Sequence, residues 1–221
     1  MMGVKIPTCY KYFCLLVLVY GFFLALGSHA GFPTSIRGDL MPFLSDKPVG
    51  EDGFYMLTVA WNIAQGKGIS YNGEILTTGI QPLSTFIFAA IAKLNFWVGG
   101  DKWTFIRLII IFNTVVHIGL SFLIGILSTK IDRKNKKINT SKVFVISSAL
   151  SLFSIGQFKL STYGLETSLY LSSLSILIIC ILNFTNKNQI LDIRRILMIG
   201  FISGITILFR IDSILVLGIF F

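Results

Sequence analysis

The sequence predicts an all-α fold, a polytopic transmembrane helix bundle with external juxtamembrane amphipathic helices, and three observations carry that prediction. Hydrophobic residues make up 54% of the 221 positions and charged residues only 13%, with 20 Phe and a mean hydropathy of +0.79, values typical of integral membrane proteins. Long apolar runs recur between short polar segments. The basic residues cluster beside those runs, as membrane orientation requires. The formal net charge of +9 therefore does not point to nucleic acid, because no aromatic interleaving or binding motif accompanies it. Cys9, Cys14 and Cys180 lie in or beside apolar segments without metal-site or disulfide spacing, and read as small packing residues.

Lys5 and Lys11 precede a first apolar run at about residues 12–26, which places the N-terminus in the cytoplasm. Ser28-His29-Ala30 loosely resembles a signal-peptide cleavage site. A retained helix suits the long aromatic run and the later spans better. An external loop over about residues 27–102 follows, irregular through Pro33, Pro42 and Pro48. Within it, Phe54, Leu57, Ala60, Trp61 and Ala64 recur at helical spacing, with Asp52 as N-cap and Gly66 as stop. This predicts a short amphipathic helix lying on the membrane. Residues 69–75 read as an extended, strand-like stretch around Asn72-Gly73. Pro82 starts a further helix to about Val98, near the lower length limit for spanning.

Charge decides how that helix lies. If it crossed, Lys130, Arg133, Lys134, Lys136, Lys137 and Lys142 would face outside together with Lys187, Arg194 and Arg195. If it stays in the outer interface, every basic cluster falls inside, as the positive-inside rule demands. Residues 103–128 then run inward, 143–160 outward, 167–183 inward and 196–209 outward, with cytoplasmic loops at about 129–142 and 184–195. One transmembrane domain spans 1–221. The apolar run that stops at Phe221 reads as the N-terminal part of a longer protein.

This path gathers Glu51, Asp52, Glu166, Arg210 and Asp212 on the outer side. Carboxylates there suit a general base or the ligands of a divalent cation such as Mg or Mn. Glu51 and Asp52 equally well cap a helix and complement its dipole. Glu166 on local sequence is a solvated turn residue. Arg210 and Asp212 interrupt an apolar run, where charges face a protein interior or a water-filled cavity; they pair with each other, or Arg210 neutralises a phosphate. His29 and His117 are isolated, and His117 reads as a packing residue. Asn139-Thr140-Ser141 and Asn183-Phe184-Thr185 match the glycosylation pattern but fall on the inner side.

The segment Glu51-Asp52-Gly53-Phe54-Tyr55, continued by Ala60-Trp61-Asn62-Ile63-Ala64-Gln65-Gly66-Lys67-Gly68, resembles the first external loop of the GT-C superfamily of polytopic glycosyltransferases. Thr77-Thr78-Gly79-Ile80-Gln81-Pro82-Leu83, Gly164-Leu165-Glu166-Thr167 and Phe209-Arg210-Ile211-Asp212 follow in the order of its arabinofuranosyltransferase-like and protein O-mannosyltransferase-like branch. The resemblance implies transfer of a sugar from a polyprenyl-phosphate donor to a glycan, lipid or protein acceptor outside a membrane, here a bacterial plasma membrane. It implies Asp52 as the catalytic or metal-holding carboxylate, Glu51 as its partner, and Glu166, Arg210, Asp212, Gln81 and Thr78 as substrate-binding residues. Similarity to aminoarabinose transferases would favour Glu51 instead. GT-C enzymes have more spans than this chain. The rival expectations are a non-catalytic remnant and a transporter or flippase-like protein whose outer carboxylates bind a cation or a solute.

Overall fold

The computed structural model describes residues 6–27, 49–132, 139–157, 163–185 and 193–218, and among these it is all-helical. The helices are α1 (Ile6–Gly27), α2 (Glu51–Ala64), α3 (Pro82–Trp97), α4 (Lys102–Asp132), α5 (Thr140–Leu152), α6 (Thr167–Thr185), α7 (Ile193–Phe209) and the short α8 (Ser213–Leu217). Outside the described residues lie the prolines at 33, 42 and 48, His29, Arg133 to Lys137, Lys187 and the C-terminal end at Phe221.

Two helices, over Lys102–Ile131 and Thr167–Phe184, are long and apolar enough to cross a membrane; α1 and α5 carry shorter apolar stretches, Cys9–Phe22 and Thr140–Leu152. Leu18, Phe22, Val115, Leu150, Leu197 and Phe201 all point outward. Such a wide apolar exterior suits lipid better than water.

Side-chain contacts set the helix directions. Cys9 meets Ser141 through a 3.6 Å Sγ···Oγ contact and Tyr20 meets the Phe153 ring at 5.7 Å, so α1 and α5 run the same way. His117 and Ser121 of α4 bond to the Leu152 carbonyl (3.3 Å) and the Ser151 hydroxyl (3.3 Å), while Gly125 faces Ser148 and Phe144. These pairs make α4 and α5 antiparallel. Lys130 bonds to Asn183, and Leu169 packs on the core that holds Ile109 and Ile110, so α6 runs with α4. Arg195 stacks over Phe184 at 5.4 Å and Arg210 over Tyr170 at 5.9 Å, which turns α7 back. One end of the bundle thus collects α2, α3, the starts of α4 and α6 and the end of α7.

Several expectations change. Asp52 is not the N-cap of α2; Gly50 is, with no side-chain cap, because the helix already begins at Glu51. The buried face of α2 is Met56, Leu57, Val59, Ala60, Trp61 and Ala64, whereas Phe54 stays 42% exposed. That face is covered by protein: Trp61 packs on Phe96 and Phe105 with ring centroids 4.3 and 5.5 Å apart, and Phe88, Ala89, Ile106 and Ile109 complete the cluster. Residues 69–75 form no strand, only one antiparallel bridge, Ser70 to Leu76. Here Asn72 Oδ1 accepts from the amides of Glu74 and Ile75, both at 3.0 Å, a local turn that satisfies the backbone without a ladder. The run expected over 143–160 stops at Leu152, and residues 155–157 form a separate helical turn. The expected basic loops are shorter, since Lys130, Lys142, Arg194 and Arg195 all sit within helices.

Other expectations hold. Pro82 opens α3 at its first turn. His117 is buried between the Leu152 carbonyl and the Tyr20 ring, a packing role. Asn139, singled out in the sequence only for its glycosylation pattern, is the N-cap of α5, accepting from the Ser141 amide at 3.0 Å.

Candidate functional site

The site is built where α2 begins. Its first turn carries Glu51 and Asp52, both exposed, where the free N–H groups and the helix dipole favour negative charge. Two glycines bring this turn against the segment preceding α6. A Cβ on Gly53 would stand 1.8 Å from the Tyr163 carbonyl oxygen, and one on Gly164 would meet Val49 at 3.1 Å and Leu57 at 3.2 Å. Gly164 also has φ +79, a conformation that favours glycine. Only hydrogen at both positions lets the two backbones touch, and the contact delivers Glu166 to the acidic turn.

Glu166 is not a solvated turn residue. It is 6% exposed, and burial pushes its carboxyl above the usual glutamate range. Arg210 opposes that shift, while the charges of Asp212 and Asp52 add to it, so these groups share one field. Asp212 pairs with Arg210 at 3.1 Å (Nε to Oδ2), and this hydrogen bond holds its carboxyl below the usual aspartate range. Both side chains of the pair remain substantially exposed, and a guanidinium bonded through Nε keeps further N–H donors. The Gln81 Oε1 accepts from the Ile211 amide at 3.4 Å, tying the start of α3 to the same corner. Tyr55, one turn beyond Glu51 on α2, bonds to the Thr77 hydroxyl and donates to the Thr78 carbonyl at 3.3 Å. Thr78 and Gln81 therefore belong to one rim with Asp52, Glu166, Arg210 and Asp212.

Compared with protein families, curated proteins and solved structures, the chain matches none. Its chemistry therefore rests on the rim itself, which the sequence reading covered only in part. Tyr55 belongs to the acidic motif, and its i+4 spacing from Glu51 would have found it. Tyr71 stacks on Tyr55 with centroids 5.1 Å apart and planes 17° apart, a contact made through a loop that no periodicity reveals. Asp101 caps α4, accepting from the Thr104 amide at 2.8 Å and its hydroxyl at 2.7 Å; these bonds hold its carboxyl below the usual range.

Buried Asn62 supports the rim from below. Its Nδ2 donates to the carbonyls of Ser70 and Tyr71, both at 2.9 Å. Asn62→Ala removes both bonds and is expected to cost about 1–3 kcal/mol, read as a lower Tm in detergent. An unchanged Tm would show that the two carbonyls find other donors.

A groove of about 230 Å³ lies between α2 and α4, lined by Phe54, Leu57, Trp61, Trp103 and Ile106 with Lys102 among them. It opens one turn from Glu51. Among the described residues no three His, Cys, Asp or Glu side chains gather as a metal cage. Glu51 and Asp52 are adjacent in the first turn, about 100° apart around the helix axis, so either carboxylate would hold an Mg-type ion with phosphate and water as the remaining ligands.

The buried Glu166 carries a pH dependence. A carboxyl whose folded value lies above its unfolded one binds more protons when folded, so stability falls as pH rises from the ordinary glutamate range to the raised one. Glu166→Gln should raise Tm near neutral pH and leave it unchanged at acid pH. Equal Tm for both proteins across the range would show that the burial carries no penalty.

Proposed function

We propose that this chain forms part of a membrane glycosyltransferase of GT-C type, which moves a sugar from a polyprenyl-phosphate donor to an acceptor on the extracytoplasmic face. The observation that supports this reading is the packing of the first turn of α2, which carries Asp52, on the Tyr163–Glu166 segment through Gly53, with the Arg210–Asp212 pair beside Tyr170, one turn beyond Glu166. Asp52, with Glu51 beside it, takes the proton from the acceptor hydroxyl as its oxygen bonds to the anomeric carbon. The bond from that carbon to the donor phosphate oxygen breaks, and the polyprenyl phosphate leaves as an anion. Arg210 faces the leaving phosphate with its unengaged N–H groups. Burial raises the Glu166 carboxyl above the usual glutamate range, which weakens its repulsion against an incoming phosphate as pH falls. Thr78 and Gln81 line the rim where hydroxyl-bearing substrate would enter. Bound Mg or Mn at Asp52 or Glu51 would neutralise phosphate charge. The groove beside Phe54 and Trp103 offers apolar lining for the proximal isoprene units, with Lys102 as a cation for the headgroup.

The test is transfer of labelled sugar from synthetic polyprenyl-phosphate donors by membranes expressing this protein. Product that depends on the protein supports the reading, and none with any donor sugar overturns it.

A second reading, a transporter, draws on the interior of α4. Asn113, His117 and Ser121 are buried along one face, and among the described residues the Asn113 amide and His117 Nδ1 have no hydrogen-bond partner. Polar groups in a span often mark a solute path. Solute uptake into proteoliposomes that is lost in Asn113→Leu would favour it.

A further inference from the structure

We propose that Tyr71, backed by Tyr55, is a stacking subsite for the ring of a carbohydrate acceptor. This rests on the glycosyl-transfer reading and narrows its acceptor from glycan, lipid or protein to glycan. Tyr71 is 52% exposed, yet it is held from several sides. Tyr55 covers one face of its ring at 5.1 Å; Asn62 fixes the carbonyls of residues 70 and 71; and Thr77 closes the loop through its amide to the Ile69 carbonyl at 2.9 Å. Tyr55 is itself pinned by Thr77 and Thr78. An exposed aromatic with one face covered and its backbone immobilised loses little entropy on binding a second flat partner.

The neighbours decide which partner. Tyr55 stands three residues beyond Asp52 and four beyond Glu51 on the same helix, so the platform and the carboxylates share one side of α2. A saccharide ring offers C–H groups to an aromatic face and hydroxyl donors to carboxylates, and this pair of demands is met here. A purely apolar ligand would leave Glu51 and Asp52 unused. Lys67, Asn72 and Glu74 on the same loop are exposed and polar, next to exposed Ile75 and Leu76, so the loop offers both hydrogen-bonding and apolar surface to a saccharide.

The test is saturation-transfer NMR on the full chain in micelles with methyl α-D-mannopyranoside and methyl α-D-arabinofuranoside. At least one glycoside is expected to bind, Tyr71→Phe to keep the affinity within about twofold, and Tyr71→Ala to weaken it on the order of tenfold. Wild-type affinity in Tyr71→Ala, or binding of neither glycoside, overturns the proposal, as does Tyr71→Ala weakening only partition into lipid vesicles. Because binding is read without turnover, its failure is separable from that of the catalytic reading. Tyr71-dependent binding without transfer would sink only the latter, and transfer with an unchanged acceptor KM in Tyr71→Ala would sink only the former.

Discussion

Asp52→Asn is expected to lower sugar transfer by about a hundred- to ten-thousandfold, the scale of losing a general base, while the protein stays folded. Asn has nearly the shape of Asp and keeps a hydrogen-bond acceptor, but it cannot take a proton or bind a cation strongly. The structural cost is small, because Asp52 is exposed and caps nothing. Loss of its favourable contact with the α2 dipole amounts to about 0.3–1 kcal/mol. The measurement is kcat with a polyprenyl-phosphate sugar, alongside Tm of the same preparation. Wild-type turnover in Asp52→Asn would remove the residue from the chemistry. Glu51→Gln, one position earlier, separates the two carboxylates: a larger loss there would transfer the leading role to Glu51.

The second large effect is structural. Gly53→Ala places a Cβ 1.8 Å from the Tyr163 carbonyl oxygen, and backbone on both sides cannot yield as a flexible side chain would. An alanine in a helix interior normally stabilises by up to about 1 kcal/mol relative to glycine. Here the overlap should reverse that sign and cost at least the roughly 1–3 kcal/mol of an overpacked core. The expected readout is a lower Tm together with lost transfer, since α2 must separate from the Tyr163–Glu166 segment. Gly119→Ala is the matched control: it lies in α4 with nothing within 4 Å of the added Cβ, and it should hold or raise Tm. Equal behaviour of the two variants would show that the Gly53–Tyr163 contact does not govern the site.

Much of the architecture was legible because it follows from local rules. The all-helical character, the start of α3 at Pro82 and the apolar runs of α4 and α6 depend on composition, proline geometry and run length. The charge pattern placed Glu51, Asp52, Glu166, Arg210 and Asp212 at one end, and their shared field now joins Asp52, Glu166, Arg210 and Asp212 there. Thr78 and Gln81, named only through resemblance, also reach that rim. Whether the bundle carries glycosyl transfer is a separate matter, for the experiments above.

The errors share a cause. The sequence lays the stripe of Phe54, Leu57, Ala60, Trp61 and Ala64 on the membrane, but α3 and α4 cover all of it except Phe54. Glu166 looked like a solvent-facing turn residue because nothing within a few positions shields it. Its burial comes from packing of its segment against α2 through Gly53 and Gly164. The Tyr55–Tyr71 stack likewise joins a helix to a loop held by an asparagine eight residues earlier than the first carbonyl it binds.

By itself the sequence determined what depends on neighbours along the chain: helix type, apolar length and the end of the bundle to which each charge belongs. Tertiary structure decided which of those charges is desolvated, which aromatic faces remain open, and that two glycines act as a contact rather than as breaks. Burial and close approach are sums over residues distant in sequence, so no local pattern encodes them.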